Sequence, residues 1–433
     1  MAELNLQAQE LNETIKRCNA AVHELLSEKG KAIFFPAKGI LAQTAEAKGK
    51  EINATIGMAL EDDSSPLRLS TIARHIDLDP KETFPYAPSF GKPELRTKWK
   101  EMIYKKNPSL AGKQISLPIV TNALTHGLSM LGYMFVDEAD RIILPDLFWG
   151  NYRLIFVNAY GAVLDTFPFF KKGRLDIDSF EQKMKQGPVG KRIVLLNFPN
   201  NPSGYTPTDE EARQIRDVLK AAAEAGNKVV VFIDDAYFGL VYEEGIYKES
   251  LFGELADLHE NLLAIKVDGA TKEDYVWGFR TGFLTYAIKD GSKELYAALE
   301  AKTAGAVRGN ISNAPHLSQS LVLKSLDSPE YDAEKKQKYE LLKKRFEIVK
   351  GILAKHKEYA ECLEALPFNS GYFMCVRLKG LQAEDVRQTL LAKYSTGVIA
   401  IGDILRIAFS STPTDKLEKL FSNIYNACHD HAG

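Results

Sequence analysis

Cysteine is scarce in this chain. Among 433 residues there are four, Cys18, Cys362, Cys375 and Cys428, with no CxxC pair and no histidine set beside them. That excludes a disulfide framework and a zinc site of recognisable spacing, and it fits a reducing cytoplasm. Long apolar runs are missing too. None reaches the ~18 residues a membrane span needs, and the polar start MAELNLQAQELNETIKRC lacks the apolar core of a signal peptide. Charge of one sign is not in excess either. With 55 basic against 57 acidic residues, and no block of one sign, bulk attraction to nucleic acid or membrane is not expected, which leaves small ligands as partners. Internal repeats, low-complexity tracts and Pro/Gly/Ser linkers are absent. What is there is 45% hydrophobic and 26% charged, a globular composition long enough for two domains or one large domain with a satellite.

From about residue 115, short β-rich runs alternate with longer amphipathic ones: ISLPIV then THGLSMLGYMF, RIILP then NYRLIFVNAY, AVLDTF then DSFEQKMKQ. This is the punctuation of βαβ units. It continues through RIVLLNF, a helix opened by Thr208 with Glu211 as a capping box, then KVVVFIDDAY, NLLAIKVDG and GFLTYAI. An α/β fold with a mostly parallel sheet between helices follows. Near residue 325 the rhythm changes to one long charged helix, then the strands GYFMCVRL and ILRIAFS with a helix between them. These imply a smaller α/β domain that the N-terminal segment completes.

Four sites along this pattern carry chemistry. The turn NFPNNPSGYTPTDEEA (197–212) links a strand to a capped helix, at the end of the sheet where α/β folds bind ligands. FIDDAYFGL ends a strand on Asp234, Asp235 and Tyr237, where a buried carboxylate needs a partner; Asp234 alone could be a metal ligand or a helix cap. Lys272 lies in VDGATKEDYVWGFRTGF, between two strands and eight residues before Arg280, a position from which it can face a bound phosphate and form a Schiff base. Arg406, in GDILRIAFSS, is an arginine at the head of an apolar strand. Taken singly, each is as well explained by a turn, a cap or a surface ion pair.

In this order and spacing the motifs resemble the pyridoxal-phosphate-dependent aminotransferases of fold type I, the aspartate aminotransferase superfamily, over about residues 52–410. The resemblance implies a large domain (61–325) around a mostly parallel seven-stranded sheet, and a small α/β domain made of 1–60 and 326–433. It implies pyridoxal 5′-phosphate as cofactor, an electron sink that the protein orients and tunes. Lys272 would form the Schiff base and then act as general base, Asp234 would face the pyridine nitrogen, and Asn201 and Tyr237 would donate to the ring's 3-oxygen. Trp149 matches the aromatic residue stacked on the ring, and Arg280 with the backbone of Leu124 and Thr125 matches the phosphate donors. The chain departs from many relatives by carrying Ala123-Leu124 in place of Ser-Gly or Gly-Ala, and Gly269 in place of a serine three residues before the lysine.

The same resemblance implies a homodimer with shared active sites, Tyr86 in YAPSFGKPELR and Ser312 in AVRGNISNAP reaching the partner's site. Arg406 would clamp the substrate's α-carboxylate, with Asn201 and Trp149 beside it, and Arg308, four residues before Ser312, would grip a side-chain carboxylate. An aminotransferase acting on aspartate or glutamate, with aromatic amino acids possible and 2-oxoglutarate as acceptor, is the expected activity. C–S lyases and related enzymes of the same fold keep nearly the same residues. An aminotransferase-like transcriptional regulator would need a basic domain of roughly a hundred residues ahead of Tyr86; the 85 residues there are neutral and include INATIG.

Overall fold

The computed structural model describes residues 4–34 and 39–431. Fifteen strands follow in chain order: β1 (Ile52–Asn53), β2 (Ile119–Asn122), β3 (Arg141–Pro145), β4 (Val163–Phe167), β5 (Phe170–Lys171), β6 (Arg174–Leu175), β7 (Lys191–Asn197), β8 (Lys228–Asp234), β9 (Leu262–Asp268), β10 (Thr281–Ala287), β11 (Leu363–Ala365), β12 (Phe373–Leu378), β13 (Thr396–Gly397), β14 (Ile399–Ile401) and β15 (Ile404–Ala408). Seven of them form one sheet in the order β2-β10-β9-β8-β7-β3-β4. The runs IVLLN of β7 and VVVFID of β8 are buried at every position, as strands covered on both faces must be. This is the mostly parallel sheet that the sequence pattern predicts, with the seven strands that the resemblance implies.

Direction in this sheet decides where function can sit. β3, β4, β7, β8 and β9 pair in parallel, and β10 runs antiparallel to both β9 and β2. Six strands therefore point one way, and their carboxyl ends, together with the start of β10, share one edge. The residues just past those ends include Leu124, Trp149, Asn201, Tyr237 and Lys272, while Arg280 immediately precedes β10.

A second sheet, β11-β12-β15-β14, is antiparallel throughout. The chain's two ends meet beside it, where β1 pairs in parallel with β13 and Gln43 exchanges hydrogen bonds with Ala400 of β14 (3.1 and 2.7 Å). The long charged helix runs Tyr331–Lys355, and on it the fully buried Arg345 bonds Asp62 (2.8 Å) and the carbonyl of Ser410 (2.5 Å). The capping box at Thr208 and Glu211 is formed. Arg406 sits at the centre of β15, not at its head as the sequence suggests, because the strand starts two residues earlier at Ile404.

The two sheets are locked together at Gly204. Its carbonyl accepts from the amides of Asn369 and Ser370 (both 2.9 Å), its φ is +71°, and a Cβ added there would overlap the carbonyl oxygen of Phe373. Gly204→Ala should thus combine a left-handed backbone penalty with backbone overlap and cost about 2–4 kcal/mol. A urea midpoint unchanged from the parent would refute this account of the junction.

Candidate active site

One cavity of about 390 Å³ opens at the shared edge of the large sheet, closed on its other side by residues of the N-terminal segment and of β12 and β15. Each wall has a cause in the chain. β8 delivers Asp234 as its last residue, and the buried carboxylate accepts the Tyr152 hydroxyl (2.5 Å) and the Ala236 amide (3.1 Å). Burial raises the pKa of Asp234; the Tyr152 bond, the positive charge of Lys272 and the Ala236 amide each oppose that rise. Among the described residues no lysine, arginine or histidine forms an ion pair with Asp234. A buried carboxylate so placed favours a cationic partner.

Lys272 lies in the single helical turn Ala270–Glu273 that follows β9, its amine 4.8 Å from the ring centre of Tyr237. Burial lowers its pKa to about 8, the pull of Asp234 opposing and the charge of Arg280 assisting. The wall is also built from Asn201 and Arg406. Arg406 is buried against the face of Phe373 (4.3 Å to the ring centre) and donates to Asn201 Oδ1 (3.2 Å) and the Thr55 carbonyl (3.1 Å), while its Nε has no partner. Neither Arg280 nor Arg406 meets a carboxylate among the described residues; Arg280 donates to the carbonyl of Trp277 (3.1 Å).

The turn at the end of β2 is unusual in its backbone. Ala123 has φ +61°, and the helix Ala123–Phe135 that starts there has no side-chain cap, so the amides of Leu124 and Thr125 at its first turn are open to an anion. Gly282 of β10 presses on this turn: a Cβ on it would come within 2.6 Å of the Ala123 carbonyl carbon and 2.9 Å of the Leu124 amide. Gly269 is pressed in turn by β10, so that a Cβ would stand 2.5 Å from the Thr281 oxygen and 2.8 Å from the Gly282 Cα. The departure at Gly269 has this steric reason: the strand next to it leaves no space for a serine side chain.

Beneath the cavity lies a buried ion lattice. Lys266 pairs with Asp235 and with Asp268 (3.5 Å), and Asp268 also accepts the Trp99 indole N–H (3.1 Å). Glu273 pairs with Lys106 (2.5 Å) and Lys335 (3.1 Å), and Asp274 with Lys335 (3.3 Å) and the Tyr331 hydroxyl (2.6 Å). The two lysines hold Glu273 down to about 2 against the upward push of burial; burial leaves Asp268 up at about 6.

Of the residues singled out in the sequence, Lys272, Asp234, Tyr237, Asn201, Arg280, Trp149, Leu124, Thr125 and Arg406 all line this one cavity. Tyr86, Arg308 and Ser312 do not. Tyr86 is 90% exposed, Arg308 and Ser312 are exposed, and their segments lie side by side, Ser89 donating to the Ser312 carbonyl (2.8 Å) and His316 contacting that of Pro85 (2.9 Å). Sequence reasoning missed Tyr152, Thr55, Thr271 and Phe373. Tyr152 stands three residues after Trp149 in FWGNY, one helical turn on, a spacing that could have suggested it.

Comparison with known proteins decides the family. A model of aminotransferase class I and II matches residues 52–424. The chain belongs to that family. Its members depend on pyridoxal phosphate, and the protein is a pyridoxal-phosphate-dependent aminotransferase whose substrates are amino and oxo acids. It is 22% identical to the cytoplasmic aspartate aminotransferase of Caenorhabditis elegans over 333 residues (75% of this chain, 78% of that one). It is 27% identical to the probable N-acetyl-LL-diaminopimelate aminotransferase of Bacillus subtilis over 253 residues (57% of each). In fold it matches an aminotransferase from Anaerococcus prevotii at TM-score 0.77 and 24% identity, covering 98% of this chain and 97% of that one. It also matches a mitochondrial aspartate aminotransferase from Trypanosoma brucei at TM-score 0.74 and 21% identity (89% and 98%).

The aminotransferase's cavity fits its cofactor on its own chemistry: a buried carboxylate without a cation, two arginines without a carboxylate, and an uncapped helix start all face one space. The depressed lysine gives a direct test. In cofactor-free protein, the reaction of Lys272 with an amine-selective reagent should rise with pH through about 8, against 10.5 for an ordinary lysine. Asp234→Asn removes the charge that favours the ammonium form and should move the midpoint lower still. A midpoint near 10.5 would refute the assignment.

Proposed function

We propose that the enzyme transfers the amino group of a dicarboxylic L-amino acid, aspartate or glutamate, to a 2-oxo acid such as 2-oxoglutarate, with aromatic amino acids as secondary donors. The observation that carries amino-acid binding is Arg406: a buried guanidinium without an anionic partner, lining the same cavity as Lys272, is a seat for the substrate's α-carboxylate, and the dicarboxylate preference rests on the resemblance at Arg308. When bound, pyridoxal phosphate supplies an aldehyde for amines and a ring that accepts the electron pair freed at the substrate's α-carbon.

The chain's residues divide the rest of the work. Lys272 would hold the cofactor through its amine and, with that amine free, would take and return a proton at the substrate's α-carbon. A pKa of about 8 leaves a sizeable neutral fraction of this amine at pH 7–8. Asp234, kept in place by Tyr152, would hold the cofactor's ring nitrogen and favour its protonated form. Asn201 and Tyr237 would donate to the cofactor's ring oxygen, Trp149 would pack on its ring, and Arg280 with the Leu124 and Thr125 amides would hold its phosphate. Burial keeps the Tyr237 phenol well above the usual range, so it acts as a hydrogen-bond donor at neutral pH.

The functional unit in this reading is a homodimer in the cytoplasm, formed of a large domain (61–325) and a small one (1–60 with 326–433). Tyr86 and Ser312 belong to the partner's cofactor site and Arg308 to its substrate site. The exposure of Tyr86, and of Phe84 at 85% beside it, supports a second copy packing on that face.

A panel of amino donors with 2-oxoglutarate tests the whole. Aspartate or glutamate should shift the visible absorption of the purified protein and yield the matching oxo acid, and Lys272→Ala should do neither. Arg308→Ala should lower kcat/KM for dicarboxylates by about 10- to 100-fold, the worth of a charge-assisted hydrogen bond of roughly 1.5–3 kcal/mol, and leave aromatic donors nearly unaffected. Release of pyruvate and ammonia from a cysteine conjugate without any acceptor would establish a C–S lyase instead.

A further inference from the structure

The phosphate end of the cavity lacks the serine hydroxyl at position 269, and β10 leaves no room to restore it. Two residues further on, Thr271 is 4% exposed, lines the same cavity as Arg280 and Leu124, and its hydroxyl has no hydrogen-bond partner. A buried hydroxyl left unpaired costs about 1–3 kcal/mol, so its persistence points to a partner that binds. Thr281 and Thr285 also carry buried unpaired hydroxyls, yet neither lines the cavity, which sets Thr271 apart.

The turn that carries Thr271 is held rigidly. The carbonyl of Thr271 accepts the Val276 amide (3.1 Å), that of Ala270 accepts the Asp274 amide (2.9 Å), and Glu273 is fixed by Lys106 and Lys335. Arg280 supplies charge from the opposite end of the same loop, through a guanidinium bonded to the Trp277 carbonyl. A neutral donor beside a cation suits a dianion that offers more acceptor oxygens than one guanidinium can fill.

We propose that Thr271 is a cofactor-binding residue of this enzyme, its hydroxyl donating to the phosphate group in place of the side chain that Gly269 cannot carry. This rests on the reading of the cavity as the pyridoxal phosphate site. The test is equilibrium binding to cofactor-free protein, comparing pyridoxal phosphate with pyridoxal. Both offer the same aldehyde to Lys272, so the ratio of their affinities reports the phosphate alone, even though Thr271 adjoins Lys272 in the chain. Thr271→Val, nearly isosteric, should weaken pyridoxal phosphate about tenfold and leave pyridoxal unchanged. Thr271→Ser should bind both as the parent does. Equal losses for the two ligands in Thr271→Val, or no loss for either, would overturn the proposal. Parent protein that binds the two ligands equally would overturn the phosphate site itself, and Thr271 with it.

Discussion

The positions of Asp234 and Lys272 depend on a lattice of buried charges that lies outside the cavity lining. Asp235 follows Asp234 in the chain, and Glu273 and Asp274 follow Lys272. Those neighbours, not the residues that line the cavity, are the ones paired with Lys266, Lys106 and Lys335. Burying such charges is costly, and removing one partner from a buried pair costs about 3–5 kcal/mol because the other is stranded. The lattice therefore tolerates little movement of the ends of β8 and β9. Two adjacent residues with opposite duties result: one clamped, the next left with unmet electrostatic needs that a ligand can meet.

The same logic leaves the charges of the cavity wall uncancelled. Asp234, Arg280 and Arg406 are each held by neutral groups: a tyrosine hydroxyl and an amide, a carbonyl, an amide oxygen and another carbonyl. Neutral partners orient a charge without cancelling it. Lys272 feels the remainder, pushed toward the neutral amine by burial and Arg280 and pulled back by Asp234.

Much of this was legible in the sequence because it depends on local order along the chain. The strands KVVVFIDD and NLLAIKVDG, the capped helix at Thr208 and the turn at Asn201 each declare themselves within a dozen residues, and the parallel sheet then places their ends together. What was not legible depends on contacts between distant segments. Nothing local shows that Thr55 would bind Arg406, 351 residues away, or that β10 would crowd Gly269. Tyr152 was overlooked because a tyrosine on a buried helical face has no mark of its own; its meaning comes from Asp234, 82 residues on. Arg406 was placed at a strand head because its neighbours Ile404 and Leu405 give no boundary signal.

The joining of the chain's two ends orders events during synthesis. Glu51 bonds Ser395 across 344 residues, and β1 waits for β13. A ribosome releases β2 through β10, and with them most of the residues that line the cavity, before Arg406 exists as polypeptide. Domains fold as units while the chain emerges, and contacts between far-separated segments close late. The nascent chain thus gathers Lys272, Asp234 and Arg280 first, and Arg406 joins their cavity only after β15 has emerged.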